Sequence, residues 1–251
     1  MPKLRSSRTV SSKLLLATWT VLVSLSLLLG ARLRSASPRE PVRLEGIVTY
    51  DGRQSDPIPV SEAGTSRQLI EVDTETKGLK DAVVWLDGVR EPAAAHPEVA
   101  DEPVVMDQQN FFFVPHVLAV KSGQAVEFRN SDVANHGVTA SSLEPRNQFN
   151  LITPQGGHFT HRFVTSKHPV AIGCPIHTAM AGWIFVFDHR FHAVTDNMGR
   201  FTLPPVPAGR YKLRVHHADG GLRKTEQIVV EADRPVRLRI DFHDRDRTIA
   251  K

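Results

Sequence analysis

The sequence predicts an all-β protein of antiparallel sandwiches behind one N-terminal apolar helix. Three observations carry this expectation. From Val42 onward, apolar and polar residues alternate with period two in one stretch after another. Turn signals rich in Gly and Asp separate these stretches, and no amphipathic helix pattern occurs outside the leader. Such alternation marks strands with one buried face, and many short strands in series build a sandwich.

The leader comes first. The first 37 residues carry Lys3, Arg5, Arg8, Lys13, Arg32 and Arg34 and no acid. Leu14–Ala31 (LLLATWTVLVSLSLLLGA) is apolar or weakly polar over its 18 residues. A basic start followed by such a run is an export signal or a membrane anchor. The run is near the lower limit for spanning a bilayer. Arg32 and Arg34 follow it directly and no A-x-A site is present, which favours a retained anchor over a cleaved signal. More basic residues precede the run than follow it, which puts the N-terminus in the cytoplasm and the rest on the extracytoplasmic or periplasmic side.

The leader also accounts for the basic balance. The chain of 251 residues has a formal net charge of +4; without the leader's six cations it holds 25 basic against 27 acidic residues, a net of −2. That near-neutral remainder excludes nucleic acid as an expected partner. Its length allows one large or two small domains. Cys174 is the one cysteine. In an oxidising compartment it has no disulfide partner, so it must be buried, reactive or metal-bound.

The strands follow in order. VRLEGIVTY (42–50) puts Leu44, Gly46, Val48 and Tyr50 on one side. AVVWLDG (82–88), QAVEFRN (124–130), FTHRFV (159–164) and YKLRV (211–215) alternate likewise. In VRLRIDF (236–242), Val236, Leu238, Ile240 and Phe242 oppose Arg237, Arg239 and Asp241. YDGR, KSGQ, DNMG, PAGR and ADGG supply the turns. Stretches 53–68 and 89–103 are rich in Pro, Ser, Gly, Ala or acid and read as loops, the second as a domain boundary.

Four side chains are candidates for one metal site. GCPIHTAM (173–180) sets His177 three residues after Cys174 and Met180 three after that. VAIGC places Val170, Ile172 and Cys174 on one strand face, so the thiol emerges at a strand end and the loop can bend His177 and Met180 back toward it. His136 opens the strand HGVTA and can reach the same point from another strand end. A thiolate, two imidazoles and a thioether suit a trigonal copper site with a weak axial donor. Zinc is disfavoured, because a thioether binds it poorly and no repeated Cys pairs occur.

At this point the chain resembles a family. NFFFVPHVLAVKSGQAVEFRNSDVANHGVTA resembles the first half of a plastocyanin- or amicyanin-like cupredoxin, and VAIGCPIHTAMAGWIFV its second half. The resemblance covers about residues 104–188. It implies a Greek-key sandwich holding one type 1 copper per chain, with His136, Cys174, His177 and Met180 as the metal ligands. Ile172 and Gly173 stand where many such chains carry an aromatic residue, and Pro175 follows the cysteine. Pro175 lacks an N–H to offer the sulfur, which bears on the potential and not on the ligand set.

The flanks resemble a second family. LEGIVTYDGR, GLKDAVVWLDG and AVTDNMGRFTLPPVPAGRYKLRV are similar to successive strands of a carboxypeptidase regulatory-like sandwich. Together the two resemblances imply a nested chain. Residues 1–41 form the tip, anchor or signal segment and linker; 42–100 the first part of the outer sandwich; 101–189 the copper domain; 190–251 the second part and tail. The ends of the inserted segment, near Asp101 and His189, are then expected to be neighbours.

Other residues take plainer readings. His116 is expected to be a surface histidine. His158, His161 and His168 are expected to be solvated. His189 and His192, or His216 and His217, offer no His-x-His pair of the kind that builds coupled copper clusters. Phe111, Phe112, Phe113, Trp183, Phe185 and Phe187 are expected in the core and between sheets. Asp107 and Glu127 give no carboxylate pair for acid–base catalysis. The expected function is single-electron transfer and not catalysis, with a redox protein docking near His177. A copper delivery or buffering module, or a metal-free adhesion or scaffold protein, are the alternatives.

Overall fold

The structure is a computed structural model that describes residues 41–89 and 102–248. The leader and residues 90–101, with the expected boundary loop and Asp101, lie outside the described residues. Among the described residues no helix is long and apolar enough to cross a membrane.

Strands account for nearly all regular structure, as the alternation predicts. β1 (Val42–Tyr50) comes first, then a short hairpin of β2 (Ile58–Val60) and β3 (Thr65–Arg67), then β4 (Val83–Asp87). Next are β5 (Val104–Gln109), β6 (Phe112–Val114), β7 (Val117–Lys121), β8 (Ala125–Asn130) and β9 (His136–Ser141). β10 (Phe149–Thr153), β11 (His158–Arg162), β12 (Val170–Gly173) and β13 (Ala181–Phe187) continue the chain. It closes with β14 (His192–Val194), β15 (Arg200–Val206), β16 (Gly209–His217), β17 (Leu222–Val230) and β18 (Val236–Phe242).

β5 to β13 make two sheets, ordered β10-β9-β12-β13-β7 and β11-β8-β5-β6. Met106, Phe113, Phe128, Val138, Phe163, Ile172 and Ile184 fill the space between them. The strands on either side of this stretch make two further sheets, β15-β1-β18 and β14-β4-β16-β17. Leu44, Val48, Tyr50, Leu86, Leu213, Ile240 and Phe242 form their core. Each core takes every second residue of its strands, which is the physical content of the alternation. β4 pairs with β14, putting Trp85 opposite His192, and the Leu86 amide donates to the Phe191 carbonyl at 3.1 Å. The chain therefore leaves the outer sheet after β4 and returns beside it.

Two expectations need correcting. The pairing is not purely antiparallel: β1 with β18, β5 with β8 and β13 with β7 run parallel. Alternation reports which face is buried and carries no sign of strand direction. Stretch 53–68 is also more than a loop, since β2 and β3 pair within it around a 3₁₀ turn at Ser61–Ala63. The turn ends on Gly64 at φ +62°, a left-handed conformation that glycine adopts without strain.

A third apolar layer joins the two sandwiches. Ile184 and Val186 of β13 face the inner core, whereas Phe185 and Phe187 turn outward with Val83 and Val117 against Trp85 and Trp183. The rings of Trp85 and Phe187 are 5.5 Å apart. Thus Trp183, Phe185 and Phe187 pack between sandwiches and not between the sheets of one. A polar clamp lies beside them. Asp219 accepts hydrogen bonds from the Trp183 indole at 2.8 Å, Arg67 at 3.3 Å and the His116 ring. His116 is therefore no free surface histidine. His161 also departs from the solvated reading: its ring packs between Phe149 and Phe163 at 4.8 and 4.6 Å, and its Nε2 is buried.

The seam makes a pH prediction. His216 and His217 are buried and neutral, with pKa values lowered from 6.5 to about 3 and about 4, mainly by burial. The unfolded chain binds a proton at each as pH falls through about 6.5, while the folded chain resists until about 4. Stability is therefore full above that window and falls as pH drops through it, by about 1.4 kcal/mol per pH unit for each ring. Denaturant midpoints measured between these limits should show the loss. His216→Gln, which keeps an acceptor for the Arg223 Nε, should flatten the slope by one proton.

Candidate metal centre

Adjacent strands bring the site together. β12 lies antiparallel to β9 with Gly173 opposite Thr139 and Ile172 opposite Ala140. Past the end of β12 the chain carries Cys174 and Pro175 alongside Val138 and Gly137, next to His136. The Cys174 Sγ, a ring nitrogen of His136 and one of His177 all lie within 4.8 Å of one another. His136 Nδ1 and His177 Nδ1 are 3.0 Å apart, and Cys174 Sγ is 3.7 Å from His177 Nδ1. Cys174 and His136 are buried and His177 is half-buried.

Backbone geometry prepares the sulfur. The amides of Gly137 and His177 both donate to Cys174 Sγ at 3.4 Å. These two amides give the sulfur hydrogen-bond partners from two separate segments of the chain. The N–H that Pro175 lacks is thus supplied by its neighbours. Gly137 is required here: a Cβ on it would lie 2.9 Å from the Pro175 Cδ. The loop closes on itself, with the Cys174 amide donating to the Met180 carbonyl at 3.2 Å and the Met180 amide to the His177 carbonyl at 3.0 Å. The Met180 side chain is buried in the same apolar cluster as Cys174.

His136 is oriented by a carboxylate. Its Nε2 lies 3.0 Å from Asp132 Oδ2. A carboxylate only accepts, so Nε2 carries the proton and Nδ1 presents its lone pair to the other donors. Burial lowers the His136 pKa against the opposing pull of Asp132, which keeps the ring neutral. Burial alone would raise the Asp132 carboxyl; hydrogen bonds from the Phe111 and Val133 amides and from His136 outweigh it and hold the pKa below its ordinary value. Those amides donate at 2.7 and 2.8 Å.

The loop that delivers His136 is stapled from below. Asn130 donates to the Ala134 and Thr153 carbonyls at 2.9 and 2.8 Å and accepts the Asp132 amide at 3.0 Å. Asp107 accepts the Ser131 amide and hydroxyl at 3.1 and 2.8 Å. Sequence reasoning singled out the four metal candidates and missed Asp132 and Phe111. Phe111 packs against the inner core as expected, and its ring also stands edge-on to both imidazoles, with centroids 5.3 Å from His136 and 4.9 Å from His177.

No family model matches the sequence. No match to it was found among the curated proteins. Among solved structures the chain is similar to a purple cupredoxin from Nitrosopumilus maritimus, at 19% identity over 34% of this chain and 99% of that one, with a TM-score of 0.29. An oxidised amicyanin variant matches at 22% identity over 37% of this chain and 90% of that one, TM-score 0.31. A copper-containing nitrite reductase from Thermus scotoductus matches at 24% identity over 40% of this chain and 27% of that one, TM-score 0.31. The reading of the site rests on its own side chains.

Asp132 gives the test of this arrangement. Asp132→Ala strips the acceptor from the Phe111 and Val133 amides and the His136 Nε2. It should destabilise the metal-free protein by about 1–3 kcal/mol in denaturant unfolding. Asp132→Asn, which keeps one acceptor oxygen, should lose less.

Proposed function

We propose that this protein is an extracytoplasmic type 1 copper protein that transfers single electrons, with His136, Cys174, His177 and Met180 holding the metal. The observation that carries the reading is the convergence of two neutral-capable imidazole nitrogens on one buried sulfur that already accepts two amides. Copper bound there would supply a one-electron couple, because this donor set accommodates both of its common oxidation states. In this reading Cys174 would supply the thiolate, His136 the buried imidazole fixed by Asp132, and Met180 a weak thioether donor. His177, half-buried on the loop, is the route by which electrons leave.

The surroundings support an apolar contact with a redox partner. Pro175, Ile176, Ile152 and Val133 are exposed around this end, and Ile152 reaches to within 3.4 Å of where a Cβ on Gly137 would sit. Exposed apolar patches mark contact surfaces. Anchorage through Leu14–Ala31 would hold the protein at the outer face of a membrane. The outer sandwich is read as carboxypeptidase regulatory-like, on the motifs of its strands.

The direct experiment is an absorption spectrum of the full chain after addition of Cu(II). An intense visible thiolate charge-transfer band is expected, and Cys174→Ser should abolish it while leaving the β-sheet circular dichroism unchanged. A band that survives the Ser substitution rules out Cys174 as the donor. Slow loss of copper to a chelator is expected of an electron carrier, whereas rapid exchange points to copper delivery. For docking, Ile176→Lys should keep the band and slow electron exchange with the physiological partner about ten-fold, the equivalent of ~1.4 kcal/mol; an unchanged rate moves the exit elsewhere.

A further inference from the structure

Asn110 and Phe111 form the two-residue turn between β5 and β6, with Gln109 paired to Phe112. Both have positive φ, +51° and +63°. Two-residue hairpins of this kind favour Asn followed by Gly, because both positions are left-handed. An aromatic side chain in the second position is strained, and such strain persists only where the surroundings hold it. Here they do. The Phe111 amide is tied to Asp132 Oδ2 at 2.7 Å, the same oxygen that holds His136. The ring then meets His136 and His177 edge-on, at interplanar angles of 87° to each.

The same turn lines an open cavity of about 600 Å³ whose walls include neither His136 nor His177. Phe111, Phe112, Asp132 and Val133 line it from the inner sandwich, and Glu62 and Ala63 of the β2–β3 turn line it from the outer one. Phe111 thus belongs both to the cavity wall and to the packing around the two imidazoles. A glycine would build this turn more easily, so the ring is there for what it touches.

We propose that Phe111 is a positioning residue that holds the His136 and His177 rings in place and closes them off from this cavity. The ring leaves the donor atoms to one another and denies small molecules in the cavity a way in. The proposal rests on the metal-site reading above but is also testable without metal. Asp132 can keep its bond to the residue 111 amide in any variant, so the hairpin and the ring can be separated.

The test uses the full chain with Phe111→Ala, Phe111→Leu and Phe111→Gly. In the metal-free protein, diethyl pyrocarbonate should modify His177 about five-fold faster in the Ala and Gly variants than in the wild type, the factor that a loss of order 1 kcal/mol in local closure produces. Leu, which refills the space, should restore much of the protection. Phe111→Gly should melt no lower than Phe111→Ala, since glycine accepts the left-handed turn freely; it also keeps the test valid if the Ala variant folds poorly. With Cu(II) bound, azide should shift the visible band of the Ala and Gly variants and leave that of the wild type unmoved. A wild type that takes up no Cu(II) overturns the metal reading, and the modification rates still judge Phe111. Wild-type modification rates in both Ala and Gly variants overturn the proposal.

Discussion

The site depends on β9 and β12 lying side by side in one register. That register brings Gly137 and Cys174 together, so that the Gly137 amide reaches the sulfur, and the missing Cβ leaves room for the Pro175 ring. Slipping the pair by one residue would turn every side chain to the opposite face. It would bury His136 away from the sulfur and expose Ile172 and Val138. The core therefore fixes the site: Val138, Ala140, Ile172 and Val170 are buried in one cluster, and the donors stand at the ends of the strands those residues anchor.

From that register the remaining constraints follow outward. A buried neutral imidazole needs an acceptor for its N–H, and Asp132 supplies it. A buried carboxylate needs donors in turn, and the amides of Phe111 and Val133 supply them. Asn130 and Asp107 then fix the loop that carries Asp132 and Val133. Every group in the chain of contacts is satisfied, so loss of one member leaves another unpaired in a dry environment. Such a network holds the donors in one arrangement.

Much of this was legible in the sequence, for identifiable reasons. Period-two alternation exposes one face of each strand, so β1 and β18 could be read almost residue by residue. Cys174, His177 and Met180 fall within one short loop, and their spacing is visible without any fold. Strand direction was not legible, because a parallel neighbour and an antiparallel one bury the same face. Nor were Asp132 and Phe111, whose roles depend on a turn conformation and on a carboxylate meeting an amide from another strand. His116 and Asp219 are more than a hundred residues apart in sequence and meet only because the two sandwiches pack together.

That packing bears on what the outer sandwich contributes. The loops at the metal end, 110–111, 131–135, 154–157 and 174–180, contain a single charged residue, Asp132, and it is buried. If a redox partner docks near His177 as proposed, it would meet loops of the inner sandwich without exposed charge, and such an association would be little screened by salt. The exposed carboxylate lining the neighbouring cavity is Glu62, which the outer sandwich supplies through the β2–β3 hairpin. The clamp at Asp219 and the layer of Trp85, Phe185 and Phe187 hold the outer sandwich against β13, the strand that leaves Met180. The outer sandwich thus packs against the strand that follows the metal loop, and its β2–β3 turn places Glu62 at the cavity that Phe111 and Asp132 also line. In the proposed docking, Glu62 of that hairpin would be the carboxylate through which charge could contribute to selectivity.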